Sequence, residues 1–303
     1  MTTEKKRYKR WSFLKRAFYL SLTPILPRIF RILFRFEVKS GEHADEFPEG
    51  RGVIFCSNHQ SHLDGFMVAM ALITPFGRRR FLTYIVSGKA MQKTVLFRLT
   101  TLLGSIPIFS ENPKPALNHA RRSIQEGLAF LITPQGRRIH RTPYHDFFNL
   151  AEEGRTGVGR LILDMNGDAP VVPLYVRGAA EALRPGTLIP RFKSYISISF
   201  GEPLYFKQYY RQDGWSEKDP EYYTNAREIT DAIMKAIREQ MLSTEKPYFD
   251  FLEWKFNTPV DKINVSPEKE RKFTRLLHKL ARVPPAQIQE FLESKGIKKD
   301  SDQ

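Results

Sequence analysis

The sequence predicts an α/β fold: a central, mostly buried sheet flanked by helices. Two observations carry this. Six apolar runs, at 52–57, 81–86, 105–109, 128–132, 171–176 and 195–200, read as strands. Helix-like stretches lie between them, at about 62–74, 88–102, 114–126 and 157–166. Strands and helices in alternation must bury their apolar faces on each other, and a sheet covered by helices is the stable solution. The chain has 303 residues, of which 41% are hydrophobic, with 23 Phe and 12 Tyr, enough to fill a sizeable core.

The N-terminal unit is different. In residues 5–36, Lys and Arg surround Trp11, Phe13, Leu14, Phe18, Tyr19 and Leu20, and the pattern resumes after Pro24 and Pro27 with Ile29, Phe30, Ile32, Leu33, Phe34 and Phe36. This predicts two short basic amphipathic helices with a proline break between them. Aromatic and aliphatic side chains interleaved with cations suit a helix lying at a lipid interface. Arg28, Arg31 and Arg35 interrupt the apolar pattern, so neither a secretory signal nor a spanning helix is expected. The protein is expected to stay on the cytoplasmic face of a membrane, as a monotopic or peripheral protein.

Residues 41–50 are polar and turn-rich and mark a junction. Near the other end, 221–242 reads as an amphipathic helix with Ile229, Ile233, Ala236, Ile237 and Met241 on one side. Beyond about 245 the chain is charged, with helices expected around 267–281 and 285–294 and a frayed tail from Lys298 to Gln303. The expected organisation is 1–40 docking helices, 41–245 the main domain, and 246–303 a helical C-terminal extension.

The formal charge is +15 and the isoelectric point about 9.8. This favours an anionic partner: nucleic acid, an acidic membrane surface or phosphorylated substrates. The basic residues cluster with aromatics at one end and no nucleic-acid motif is present, so nucleic acid ranks last. The single cysteine, Cys56, excludes a disulfide framework within one chain and sits in an apolar run as a buried core thiol.

The segment Asn58-His59-Gln60-Ser61-His62-Leu63-Asp64-Gly65 leaves a predicted strand and enters a predicted helix. Strand ends feeding helix starts are where α/β sheets place functional groups. The five-residue step from His59 to Asp64, taken across a turn, can bring the carboxylate to the imidazole. A carboxylate there fixes the tautomer and stabilises the imidazolium formed when the histidine takes a proton. His59 could then deprotonate an attacking hydroxyl. A second reading takes His59, His62 and Asp64 as metal ligands of a hydrolase, with His119, His140 or His145 completing the set.

The same segment resembles the His-x4-Asp signature of glycerolipid acyltransferases, the lysophosphatidate acyltransferase-like family. Three later segments follow in the family's order. Gly104-Ser105-Ile106-Pro107-Ile108-Phe109-Ser110 is similar to the second block, Thr133-Pro134-Gln135-Gly136-Arg137-Arg138 to the third, and Ala169-Pro170-Val171-Val172-Pro173-Leu174-Tyr175-Val176 to the fourth. Gly201-Glu202-Pro203-Leu204 resembles the strand exit that follows. The resemblance covers roughly 50–205, and the basic N-terminus is similar to the membrane-docking helices of bacterial members.

The resemblance implies a single acyltransferase domain, an acyl-CoA or acyl-carrier-protein donor as co-substrate, no further cofactor and no metal. It implies a lysoglycerophospholipid acceptor, with 1-acylglycerol 3-phosphate foremost. It makes His59 the general base and Asp64 its partner. Asn58, Gly104, Ser110, Lys114, Gln135, Gly136, Arg137 and Arg138 become the expected substrate-binding residues. The physics agrees: guanidinium groups fork onto phosphate, glycine lets backbone approach a ligand, and backbone N–H groups can hold an oxyanion. Ser110 stands where the second block usually has arginine. Gln135 replaces the usual glutamate and Arg137 the usual threonine of the third. Lys114 or Arg137 is the candidate for the missing cation. These departures motivate the alternative of a non-catalytic membrane-surface lipid-binding protein on the same fold.

Overall fold

A computed structural model describes residues 21, 25–46, 51–73, 82–89, 101, 104–109, 111–138, 154–183, 187, 189–263, 267–280 and 282–297. In chain order the elements are α1 (Leu26–Leu33), β1 (Arg35–Lys39), α2 (Glu42–Asp45), β2 (Val53–Ser57), α3 (Asp64–Ile73), β3 (Leu82–Ser87), β4 (Ser105–Ile108), α4 (Lys114–Gln125), β5 (Ala129–Ile132), α5 (Gly157–Asp164), β6 (Val171–Arg177), α6 (Ala179–Ala182), β7 (Tyr195–Phe200), α7 (Tyr222–Phe256), α8 (Pro267–Leu280) and α9 (Pro285–Ser294).

The seven strands form one sheet in the order β1-β7-β6-β2-β5-β3-β4. Strands β2 to β6 run parallel, and β7 turns against β6 with β1 parallel to it. The central strands β2, β5 and β6 are buried at every residue, as uninterrupted apolar runs covered on both faces should be. On one face Phe30 and Phe34, with Met67 to Leu72 of α3, pack on Val53 and Phe55 of β2. On the other, residues of α4, α5 and α7 pack on Ile54 and Cys56. Gly159 sets the contact between α5 and α7, because a Cβ there would lie 2.0 Å from the Ala226 carbonyl oxygen.

All six expected strands form. The seventh, β1, falls where the second basic helix was expected to continue. That helix starts at Leu26, with Pro27 in its first turn, and ends as Phe34 turns extended (φ −130°, ψ 151°). Proline at a first turn loses no hydrogen bond, so Pro27 opens this helix rather than breaking it. Arg35 to Lys39 then alternate outward and inward and pair with β7 from Arg35↔Tyr195 to Lys39↔Ser199.

The helix expected over 221–242 runs on to Phe256, straight through Pro247, so the boundary drawn at 245 falls inside it. Its second half has its own apolar face. Tyr248 and Leu252 pack with Ile263, Phe273 and Leu280 and with Ile288 and Leu292 of α9, a separate small core. The first expected N-terminal helix, most of 88–102 and the tail 298–303 lie outside the described residues. Among the described residues no helix is long and apolar enough to cross a membrane.

Candidate active site

The β2 strand ends at Ser57, and the ladder to β6 is continued by a side chain. Asn58 Nδ2 donates to the Val176 carbonyl at 2.9 Å, and the Val176 N–H donates to Asn58 Oδ1 at 2.7 Å. Both ends of this buried amide are committed to backbone, so Asn58 anchors the loop that follows instead of facing a substrate. The next residue is held from the opposite neighbour: the His59 N–H donates to Gln135 Oε1 at 2.9 Å. Gln135 stands just beyond β5, only 4% exposed, and its Nε2 has no partner among the described residues. The carboxamide thus clamps the ends of β2 and β5 together.

The chain then turns into α3 around one carboxylate. Asp64 Oδ2 accepts the backbone N–H groups of Gln60 (2.7 Å) and Ser61 (2.9 Å) and meets His59 Nδ1 at 2.7 Å. Three contacts on one oxygen fix the group, whose side chain is 1% exposed against 25% for His59. Because the carboxylate can only accept, Nδ1 carries the proton, and Nε2 is left with a lone pair to take another. The expected five-residue step therefore does bring imidazole and carboxylate together.

His59 lines a cleft of about 650 Å³ at the C-terminal edge of β2, β3 and β5. Its other walls include Tyr84 to Ser87 from β3, Thr133, Gly136, Arg137 and Arg138 after β5, and Lys89. Parallel strands end together at this edge, which is why groups distant in sequence converge there. Gly136 has φ +63°, and a Cβ on it would meet Arg155 Cδ at 2.7 Å, so the turn needs glycine. Arg137 and Arg138 are exposed, and Lys89, exposed too, pairs with Glu111 at 2.7 Å.

Other expected residues lie elsewhere. Gly104 precedes β4 and accepts the N–H of the cleft residue Tyr84 at 3.3 Å through its carbonyl, but it does not itself line the cleft. Lys114 opens α4 and pairs with Glu217 Oε2 at 2.6 Å, outside the cleft. Ser110, His140 and His145 lie outside the described residues. His62 also lines the cleft, but among the described residues no group of three or more His, Cys, Asp or Glu is arranged to hold a metal ion. Cys56 is wholly buried in β2, and burial pushes its thiol far up, so it is no nucleophile. The sequence reading missed Lys89, although a cation directly after an apolar strand was a visible signal.

An imidazole held by a buried carboxylate, open to a basic cleft at the strand ends of an α/β sheet, is an arrangement that can remove a proton from a nucleophile. The model of the family described as Acyltransferase matches residues 38–177, which contain the pair and every residue of the cleft named above. Over those residues the chain matches the acyltransferase family, and the sequence's resemblance to the glycerolipid members is upheld at that level. Among solved structures, the crystal structure of the 1-acyl-sn-glycerophosphate (LPA) acyltransferase PlsC from Thermotoga maritima is similar with a TM-score of 0.47 and 16% identity, over 76% of this chain and 85% of that one. No curated protein matches the sequence.

Proposed function

We propose that this acyltransferase moves a fatty acyl group from a thioester, acyl-CoA or acyl-carrier protein, to the free hydroxyl of a lysoglycerophospholipid, foremost 1-acylglycerol 3-phosphate, in phospholipid biosynthesis. The observation that carries the reading is the 2.7 Å contact of His59 with buried Asp64 at the mouth of a cleft bearing Lys89, Arg137 and Arg138. His59 Nε2 takes the acceptor's hydroxyl proton as that oxygen attacks the thioester carbonyl. The tetrahedral intermediate then collapses, the C–S bond breaks, and the imidazolium returns the proton to the leaving thiolate. No protein nucleophile and no metal takes part. The cations of the cleft would hold an acceptor phosphate.

Such an acceptor lives in a membrane, and the basic N-terminal segment supports work at an anionic bilayer on the cytoplasmic face, as a monotopic or peripheral protein. The test is a panel assay: purified chain on anionic vesicles, one labelled acyl thioester at a time, CoA and carrier-protein forms, and lysolipids of several headgroups. Transfer to a lysolipid, lost in His59→Ala, is the expected result. Vesicle binding with no transfer to any acceptor would leave the lipid-binding alternative standing instead.

A further inference from the structure

Beside α1 the surface carries large apolar side chains from a remote part of the chain. Ile189 is 77% exposed and Phe192 55%, both in the connection from α6 to β7. This connection is tied down. The Arg191 N–H donates to Ala182 O at 2.6 Å, the Lys193 N–H to Leu33 O at 2.7 Å, and the Ser194 hydroxyl to Arg191 O at 2.8 Å. The Arg35 N–H returns a bond to Ser194 O at 3.0 Å, and the Phe192 and Phe34 rings lie 6.1 Å apart. Lys193 adopts φ +61°, a left-handed conformation that side chains other than glycine seldom take. A turn so fixed, yet showing isoleucine and phenylalanine to solvent, has an apolar surface that the described residues do not cover.

The neighbouring helix is built alike. α1 buries Phe30 but leaves Ile25 at 52%, Ile29 at 45% and Ile32 at 80% exposure, among the exposed Arg28 and Arg31. We infer that α1 and the turn 189–193 form one docking surface for an anionic bilayer, with Ile189 and Phe192 inserting beside the isoleucines of α1. The inference rests on the lipid-surface reading above and extends it to a segment outside the N-terminus. The charges decide the occupant. Arg28, Arg31 and Lys193 are of one sign, so a second copy placed face to face would oppose like charges, whereas anionic headgroups neutralise them. The surface is also joined to the catalytic loop from both sides. Phe30 packs on Phe66, two residues past Asp64, with ring centroids 5.5 Å apart, and the Ser61 hydroxyl donates to Leu183 O at 3.3 Å, just after α6. Docking there sets the position of His59 relative to the lipid.

The test uses the full chain with phosphatidylglycerol-containing and pure phosphatidylcholine vesicles. Cys56 is the one cysteine and is wholly buried, so an environment-sensitive dye on a Phe192→Cys variant reports that position alone. A dye on Tyr210→Cys, an exposed site elsewhere, is the control. The expected result is a blue shift at 192 with anionic vesicles only and none at 210. The double variant Ile189→Asp/Phe192→Asp, with unchanged circular dichroism, should sediment with anionic vesicles about tenfold less or weaker, since two apolar insertions are lost. Wild-type sedimentation with the dye at 192 still in water, or with the double variant pelleting equally, overturns this inference and leaves the proposed reaction intact. A wild-type chain that binds no vesicle overturns both. A vesicle-free dimer that the double variant dissolves assigns the surface to a second copy and overturns the inference too.

Discussion

His59 and Arg177 each face a buried carboxylate, and the two pairs do different work. Asp64 and Glu245 have side chains equally hidden, 1% exposed in both cases. The imidazole opposite Asp64 is 25% exposed and opens on the cleft, while the guanidinium opposite Glu245 is 1% exposed, 3.2 Å from the acid. Arg177 lies 3.9 Å from the Tyr248 ring centroid and 5.4 Å from that of Tyr195, and the Tyr175 hydroxyl donates to Glu245 Oε1 at 2.8 Å. That cluster fastens the end of β6 to the second half of α7. An imidazole has a second nitrogen that can exchange a proton at the cleft, and a guanidinium gives up none. Buried acid is common to both; access and a spare lone pair suit one to the proposed role of base and the other to fastening.

Removing each cation separates the roles. His59→Ala should lower kcat/KM about 10³-fold while leaving the thermal midpoint within a degree or two of wild type, read by a transfer assay and by circular dichroism. Arg177→Met should do the reverse. Stranding Glu245 in the interior costs about 3–5 kcal/mol in urea unfolding, while activity follows the folded fraction. Arg177→Met combined with Glu245→Leu should recover most of that loss, because no charge is then left unpaired. Should His59→Ala unfold the chain, or Arg177→Met abolish transfer at full stability, the assignment of the two pairs is reversed.

The sheet was readable because its inner strands are continuous apolar runs, and the helices 114–126, 157–166, 267–281 and 285–294 showed by period and flanking prolines. β1 was not, since five residues of alternation beside a basic helix mean little until β7 supplies a partner far along the chain. Nor was the length of α7. Pro247 reads locally as a stop, but Tyr248 and Leu252 give the helix a new face against α8 and α9 that more than replaces one lost hydrogen bond. At the site, the His59–Asp64 step was legible from spacing and block order. The directions of Asn58 and Gln135 were not, because sequence places a residue at a strand end without saying whether it turns to ligand or backbone. Gln135 offers the sharper test. Gln135→Leu removes the acceptor of the His59 N–H and should lower kcat about tenfold with KM little changed, through misplacement of the imidazole. Gln135→Glu keeps an acceptor oxygen there and should stay within a few-fold of wild type. A change in KM alone would instead mark Gln135 as a substrate contact.

A third acid is exposed. Glu217 takes the exposed Lys114 on Oε2 at 2.6 Å and the half-buried Arg160 on Oε1. The hydrogen bond from Lys114, the largest cause, outweighs desolvation, the second, and together with Arg160 holds the carboxyl below the usual glutamate range. A lowered carboxyl value means the unfolded chain binds the proton more readily. The stabilisation is therefore present above the ordinary glutamate range and lost as pH falls through the lowered one. Solvent screens the cluster, so Glu217→Gln should cost no more than about 0.5 kcal/mol at neutral pH, and the difference should vanish well below pH ~4 or in high salt. The same variant releases Lys114. Since that ammonium stands outside the cleft, KM for the proposed lysolipid acceptor should not move, whereas a fall in KM would return Lys114 to the proposed acceptor site and place its ion pair in competition with the substrate.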